Sequence, residues 1–123
     1  MKLKHAMTRD VLVVGWRTGT GERSPTFASL LLAAHDGDEL VYLGRVGTGF
    51  DEHALSSLRS KLDRLSRKTP PLRVPAADSR DAHWVRPSLV GEVRYSGETE
   101  AGRLRHPVWR GLREDIDPDD VCV

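Results

Sequence analysis

The feature that most limits what this chain can fold into is one helical stripe set among extended apolar runs. Leu55, Leu58, Leu62 and Leu65 recur at spacings of 3, 4 and 3, which places them on a single face of an α-helix. Asp51 stands where an N-cap carboxylate would accept from the first free backbone N–H groups, and Pro70-Pro71 ends the helical pattern. Ser57, Lys61, Arg64 and Lys68, at spacings of 4, 3 and 4, fall on a different and strongly basic face of the same helix. Val11-Leu12-Val13-Val14 reads as a buried strand within Asp10–Trp16. Phe27 to Ala34 contains Leu30-Leu31-Leu32, leucines that could also suit a helix, but the Asp36-Gly37 turn that follows favours a hairpin with Leu40–Val46.

Gly47-Thr48-Gly49 breaks the third run before the helix. After it, residues 73–82 show no periodicity and read as loop. Trp84-Val85 and then Leu89–Tyr95 read as a further strand, with Val90, Glu92 and Arg94 alternating against Gly91, Val93 and Tyr95. Gly97 to Gly102 is a turn, Leu104–Leu112 a short last strand, and residues 117–123 a mobile acidic tail. Several short strands with one helix after the third is the layout of a small Greek-key barrel, and the OB-fold places its helix between strands 3 and 4. The pattern therefore implies one mainly β domain over residues 1–123, a small β-barrel with one helix between strands 3 and 4, to which the OB-fold is one match.

The net charge of +1 conceals its distribution. Residues 59–73 hold Arg59, Lys61, Arg64, Arg67, Lys68 and Arg73 against Asp63 alone. Arg103, Arg105, Arg110 and Arg113 form a second basic block, and Glu114, Asp115, Asp117, Asp119 and Asp120 follow as an acidic one. Such blocks are either solvated faces or phosphate-binding surfaces. The lone cysteine, Cys122, has no disulfide partner within the chain, and one Cys with scattered His makes no zinc set, so no metal site is expected. No apolar run approaches a membrane span, and the start lacks the apolar core of a signal peptide, so the expected setting is cytoplasmic.

Four segments carry a resemblance that spans the chain. They are Lys2-Leu3-Lys4-His5; Val14-Gly15-Trp16 with the loop through Arg17 to Arg23; Gly44-Arg45-Val46-Gly47-Thr48-Gly49-Phe50-Asp51-Glu52; and Leu104 through Asp115. Together they resemble the C-terminal OB domain of ATP-dependent DNA ligases, most closely the bacterial end-joining ligases C and D. The resemblance implies a domain of an enzyme that joins phosphodiester backbones in double-stranded DNA. Residues 1–5 are then what remains of motif V, from the end of an adenylation domain, with Lys2 and Lys4 reaching the ATP phosphate. Met1 stands where a tryptophan often precedes, which suggests a chain cut from a longer one.

Arg113 and Asp115 match the Arg-x-Asp of motif VI, which orients the pyrophosphate leaving group during self-adenylation. Ile116 stands where a lysine is usual, leaving either weaker self-adenylation or compensation by Arg110. Gly-Thr-Gly-Phe is either a structural turn, the preferred reading, or a DNA contact. The parent reaction uses ATP and Mg²⁺; the isolated domain is expected to hold no cofactor. Its implied partners are the adenylation domain and duplex DNA, in or near the bacterial nucleoid, and no membrane. Arg17, Arg23, Lys61, Arg64, Lys68, Arg105 and Arg110 are the expected DNA-contacting cations. The family's nucleophile is the lysine of a Lys-x-Asp-Gly motif, and the one lookalike, Lys61-Leu62-Asp63-Arg64, lacks the glycine. The chain alone is therefore expected to be inactive. The rival readings are a stand-alone, non-catalytic DNA-binding OB protein and, with less use for the basic blocks, a protein–protein module.

Overall fold

Unbroken apolar runs such as Val11–Val14 and Leu30–Ala34 demand cover on both faces of a sheet, since alternate side chains point opposite ways. The computed structural model, which describes residues 7–17, 29–80 and 82–123, supplies both covers. Strands β1 (Met7–Arg17), β2 (Ser29–Asp36) and β3 (Glu39–Val46) form an antiparallel meander, and every residue from Val11 to Trp16 and from Ser29 to Ala34 is buried. On β2, Leu30, Leu32 and Ala34 face the main core, whereas Leu31 and Ala33 face a second, smaller cluster with Val14 and Tyr42. The β2–β3 turn is the expected tight one, with Gly37 at φ 65°.

The second cluster explains the segment that has no periodicity. Leu72 and Val74 pack on the outer face of the meander against Val14, Leu31, Ala33 and Tyr42. A four-residue helix, α2 (Ala76–Ser79), then brings Asp78 to the Tyr42 hydroxyl at 2.6 Å. Isolated apolar residues in a connecting segment carry no period, so their burial is set by tertiary contact alone.

Helix α1 (Glu52–Arg64) is capped by Asp51, whose carboxylate accepts from the Ala54 N–H at 2.7 Å. Leu58 and Leu62 are buried and Leu55 and Leu65 partly so, as the stripe requires. The helix stops at Arg64, well before Pro70-Pro71. Leu65 closes it, and Ser66–Arg67 (β4) pairs instead with Val85 and Trp84, while the Arg86 N–H donates to the Leu65 carbonyl at 2.9 Å. Strand pairing thus replaces the last helical turn, and Lys68 lies beyond the helix rather than on the face of Lys61 and Arg64.

Strand β5 (Ala82–Tyr95) runs unbroken through Pro87. Its register with β1 jumps from Val13↔Leu89 to Gly15↔Trp84. Pro87 falls inside that irregularity, where no ladder N–H is needed. A small hairpin, β6 (Gly97–Glu98) with β7 (Leu104–Arg105), leads to β8 (Val108–Leu112), which pairs with β5. The sheet order is β3-β2-β1-β5-β4, with β8 added on β5. The Trp109 N–H donates to the Thr48 carbonyl at 2.9 Å, joining β8 to the end of β3 and closing the barrel. The helix follows the third strand, as an OB-fold requires.

The acidic tail is docked, contrary to the expectation of mobility. Asp117 caps a short 3-10 turn, Pro118–Asp120, and Val121 is buried in the main core. The His35 N–H donates to the Val121 carbonyl at 2.7 Å, and the Val123 N–H to the His35 carbonyl at 2.8 Å. Beyond Ala33, β1 no longer pairs with β2, so His35 offers the tail an open backbone edge.

The barrel seam rests on the Trp109 side chain. The indole lies over Gly91, where a Cβ would overlap it, and Phe50 stacks on it at 5.7 Å between centroids. Trp109→Ala should lower unfolding free energy by about 3–5 kcal/mol. A urea titration followed by circular dichroism checks this, and an unshifted midpoint contradicts it.

Candidate functional site

Of the expected site residues, Arg110, Arg113 and Asp115 are brought together. A register irregularity lies between Glu92↔Gly111 and Val93↔Trp109, so Arg110 is the extra residue of a bulge. Trp109 points inward and is buried, while Arg110 is exposed. The Arg113 backbone N–H donates to the Val90 carbonyl at 2.8 Å, fixing the residue directly after β8. Its guanidinium is held on two edges. Nε and Nη2 donate to the two Asp115 carboxylate oxygens, both at 3.2 Å, and Nη1 reaches Asp10 Oδ1 and Glu92 Oε2, both at 3.5 Å. Arg110 Nε lies 3.6 Å from the other Glu92 oxygen. Asp115, through its hydrogen bond first and its charge second, pushes the Arg113 pKa further up. The same hydrogen bond from Arg113 holds the Asp115 carboxyl below its usual range.

Sequence reasoning does not single out Asp10 or Glu92. Asp10 is opposite Glu92 in the β1–β5 register, and Glu92 is opposite Gly111. Directly opposed residues share a face, so two carboxylates meet Arg110 and Arg113 there. The alternation around Glu92 gives its outward orientation. The pairing with β1, which requires knowledge of the topology, is needed to find Asp10.

The other expected cations that the structure describes sit on other elements. Lys61 and Arg64 sit on α1, with Arg64 exposed, and neither makes an ion pair among the described residues. Lys68 is exposed just after β4. Arg17, at the end of β1, donates through Nε to the Arg80 carbonyl at 3.1 Å. Arg105 is exposed on β7. Lys2, Lys4 and Arg23 lie outside the described residues, as does most of the loop that follows Arg17. The Lys61-Leu62-Asp63-Arg64 lookalike is helical, with Leu62 fully buried and Asp63 paired to Arg59 at 3.1 Å.

Gly-Thr-Gly-Phe has a structural task here. A Cβ on Gly49, whose φ is 100°, would overlap the Trp109 backbone. Thr48 supplies the closing carbonyl, and Phe50 the ring against Trp109. Two further clusters lie elsewhere. Tyr42 donates to Asp78, which also pairs with Arg45 at 3.3 Å, and the Arg103 guanidinium lies 4.9 Å from the Tyr42 ring centre. Burial foremost, with the Asp78 hydrogen bond, raises the Tyr42 phenol far above its ordinary pKa. Trp16 stacks on His83 at 4.1 Å and carries Arg59 at 4.2 Å. Among the described residues no group of three or more His, Cys, Asp or Glu could hold a metal ion, and no helix is long and apolar enough to cross a membrane.

The geometry can be set beside known proteins. Residues 23–116 match the family described as the ATP dependent DNA ligase C terminal region. The multifunctional non-homologous end joining protein LigD of Mycolicibacterium smegmatis is 47% identical over 116 residues, covering 93% of this chain and 15% of the relative. LigD of Pseudomonas aeruginosa is 36% identical over 120 residues, covering 94% of this chain and 14% of the relative. The crystal structure of the ligase domain from M. tuberculosis LigD superposes with a TM-score of 0.91 at 41% identity, over 98% of this chain and 39% of that one. A mycobacterial DNA ligase D complexed with ATP and MES superposes at 0.83 with 40% identity, over 96% of this chain and 38% of that one. The chain thus spans under a fifth of the length of these curated LigD relatives. With its OB-fold and these matches, the chain belongs to the C-terminal region family of ATP-dependent DNA ligases.

Proposed function

We propose that this chain serves an ATP-dependent ligase in two ways, by supplying Arg113 and Asp115 to enzyme adenylation and by gripping duplex DNA through phosphate contacts. The observation that carries the first is the mounting of Arg113. Its backbone is pinned to β5, and its side chain remains 34% exposed beside Asp10 and Glu92. A planar guanidinium pairs bidentately with phosphate oxygens as readily as with carboxylates. Asp115 holds it in a fixed plane until such a partner replaces one edge.

ATP is the substrate of that step, and Lys2 and Lys4 are the residues of this chain proposed to reach its phosphate. Magnesium finds no ligand set among the described residues. The nucleophilic lysine belongs to the adenylation domain, so the isolated chain is not expected to hold a cofactor. The working place proposed for it is the bacterial nucleoid.

For DNA, the favoured surface is Lys61 and Arg64 on α1, with Lys68, just after β4, and Arg17, Arg23 and Arg105 as further contacts. Lys61 and Arg64 spend no charge on carboxylates within the described fold. They are therefore available for counterion release on a phosphate backbone. Nothing on this surface is arranged to read base edges, so binding is expected to be independent of sequence.

Three outcomes are expected. Incubated with ATP and magnesium, the chain alone should acquire no covalent AMP by mass spectrometry, and a stable adduct would sink the division of labour. In a ligase carrying this chain behind an adenylation domain, Arg113→Ala should slow self-adenylation roughly 10²–10³-fold. It should slow sealing of pre-adenylated nicks far less, whereas equal losses in the two steps would remove the role. For DNA, Lys61→Glu with Arg64→Glu should weaken duplex binding. The same pair should flatten the log–log salt dependence by roughly 0.9 for each phosphate no longer neutralised. Fluorescence anisotropy of labelled duplex measures both, and identical curves for wild type and variant would take α1 out of the DNA surface.

A further inference from the structure

The resemblance implies a lysine at position 116, where this chain has Ile116. Ile116 packs against the main core. The carboxylates that surround Arg113 are Asp10, Glu92 and Asp115. The cation that does stand there is Arg110, thrown outward by the bulge in β8.

Glu92 joins the two arginines. One of its oxygens faces Arg110 Nε at 3.6 Å and the other faces Arg113 Nη1 at 3.5 Å. A carboxylate shared in this way, one oxygen to each guanidinium, has the form of a phosphate held by two arginines. We propose that Arg110 and Arg113 form a two-arginine clamp for the terminal phosphates released as pyrophosphate, and that Glu92 is the positioning residue that occupies and spaces this clamp until they arrive. The proposal rests on the reading of Arg113 as a leaving-group contact and adds to it a second cation and an internal competitor.

The carboxylates differ in how firmly they hold. Asp10 and Glu92 are mounted on the paired strands β1 and β5, with side chains 32% and 29% exposed, whereas Asp115 follows the last strand and is 69% exposed. An incoming phosphate therefore has two routes to Arg113. It displaces Asp115 from the Nε/Nη2 edge, or it displaces Glu92 and meets both arginines at once. The second yields more charge-assisted hydrogen bonds, so phosphate binding should be governed by Glu92 and should need Arg110.

The test uses the 123-residue chain itself with inorganic pyrophosphate as the probe, at constant ionic strength. The readout is the side-chain Nε–Hε resonances of Arg110 and Arg113 by NMR. Glu92→Gln should tighten pyrophosphate binding on the order of fivefold, the scale of removing partly exposed ion pairs, and both resonances should move together. Arg110→Gln in that background should abolish the gain, and Ile116→Lys in the wild-type chain should not reproduce it. Asp63→Asn, at the end of α1 beside the Trp84 end of β5, removes one negative charge from another part of the fold and controls for general electrostatics. The proposal is overturned if Arg110→Gln leaves both the affinity and the Arg113 shift unchanged, if the Asp63→Asn control gives the same gain, or if Ile116→Lys supplies it. Amide spectra check that each variant is folded, and Glu92→Asp, which keeps the charge on a shorter arm, should stay near wild type. A working clamp combined with no adenylation defect for Arg113→Ala would reject the leaving-group reading and keep the clamp. The reverse pattern would reject the clamp alone.

Discussion

Trp109 is the residue through which the barrel and its functional edge become one object. Its indole fills the space left by Gly91, its backbone N–H ties β8 to Thr48 at the end of β3, and its ring meets Phe50. The two sequence segments that carry the family resemblance most specifically, Gly-Thr-Gly-Phe and Leu104 through Asp115, are thereby packed on each other. A buried tryptophan has a large apolar area and a single fitting orientation. The next residue, Arg110, is consequently presented at a defined place, and Arg113 follows after one more pinned backbone bond. A side chain asked to meet a phosphate needs that rigidity, because long cationic side chains otherwise lose rotamer freedom when they bind.

A similar arrangement appears on the opposite side of the meander. With β1 and β2 buried on both faces, the barrel carries a second apolar layer in which Leu72, Val74 and Trp84 cover Val14, Leu31 and Ala33. The Tyr42–Asp78–Arg45 network closes the rim of that layer and satisfies the hydroxyl that burial would otherwise leave unpaired. The docked tail does the equivalent for β2, where it takes up the backbone groups of His35 that β1 leaves open. A small barrel has few strands with which to cover its edges, and here irregular segments complete the cover.

What can be read from the sequence follows from which interactions are local. The helix stripe, its Asp51 cap, the Gly37 turn and the alternation in β5 depend on residues a few positions apart, and each is visible in the order of residues. The helix end is not, because Ser66–Arg67 leave the helix to pair with β5, a pairing between residues about twenty positions apart. The tail reads as mobile because composition dominates a segment whose one buried residue, Val121, decides its position. At the site, Arg113 and Asp115 are legible through a motif. Asp10 and Glu92 are not, since they share a face only because β1 and β5 pair in one particular register.

The two proposed phosphate surfaces also differ in their electrostatic starting state. Lys61 and Arg64 carry no internal ion pair among the described residues, so a phosphate that reaches them displaces only solvent counterions. Arg110 and Arg113 are already neutralised by Glu92, Asp10 and Asp115, so a phosphate there must first evict a carboxylate. Exchange of one anion for another releases fewer counterions and has a weaker salt dependence than binding to a bare cation. It also discriminates by geometry, because the incoming group must match the spacing that Glu92 holds. Diffuse grip on DNA and a selective grip on the end of a nucleotide can thus coexist on one small barrel. What separates them is whether the cations are left open or filled by the protein's own carboxylates.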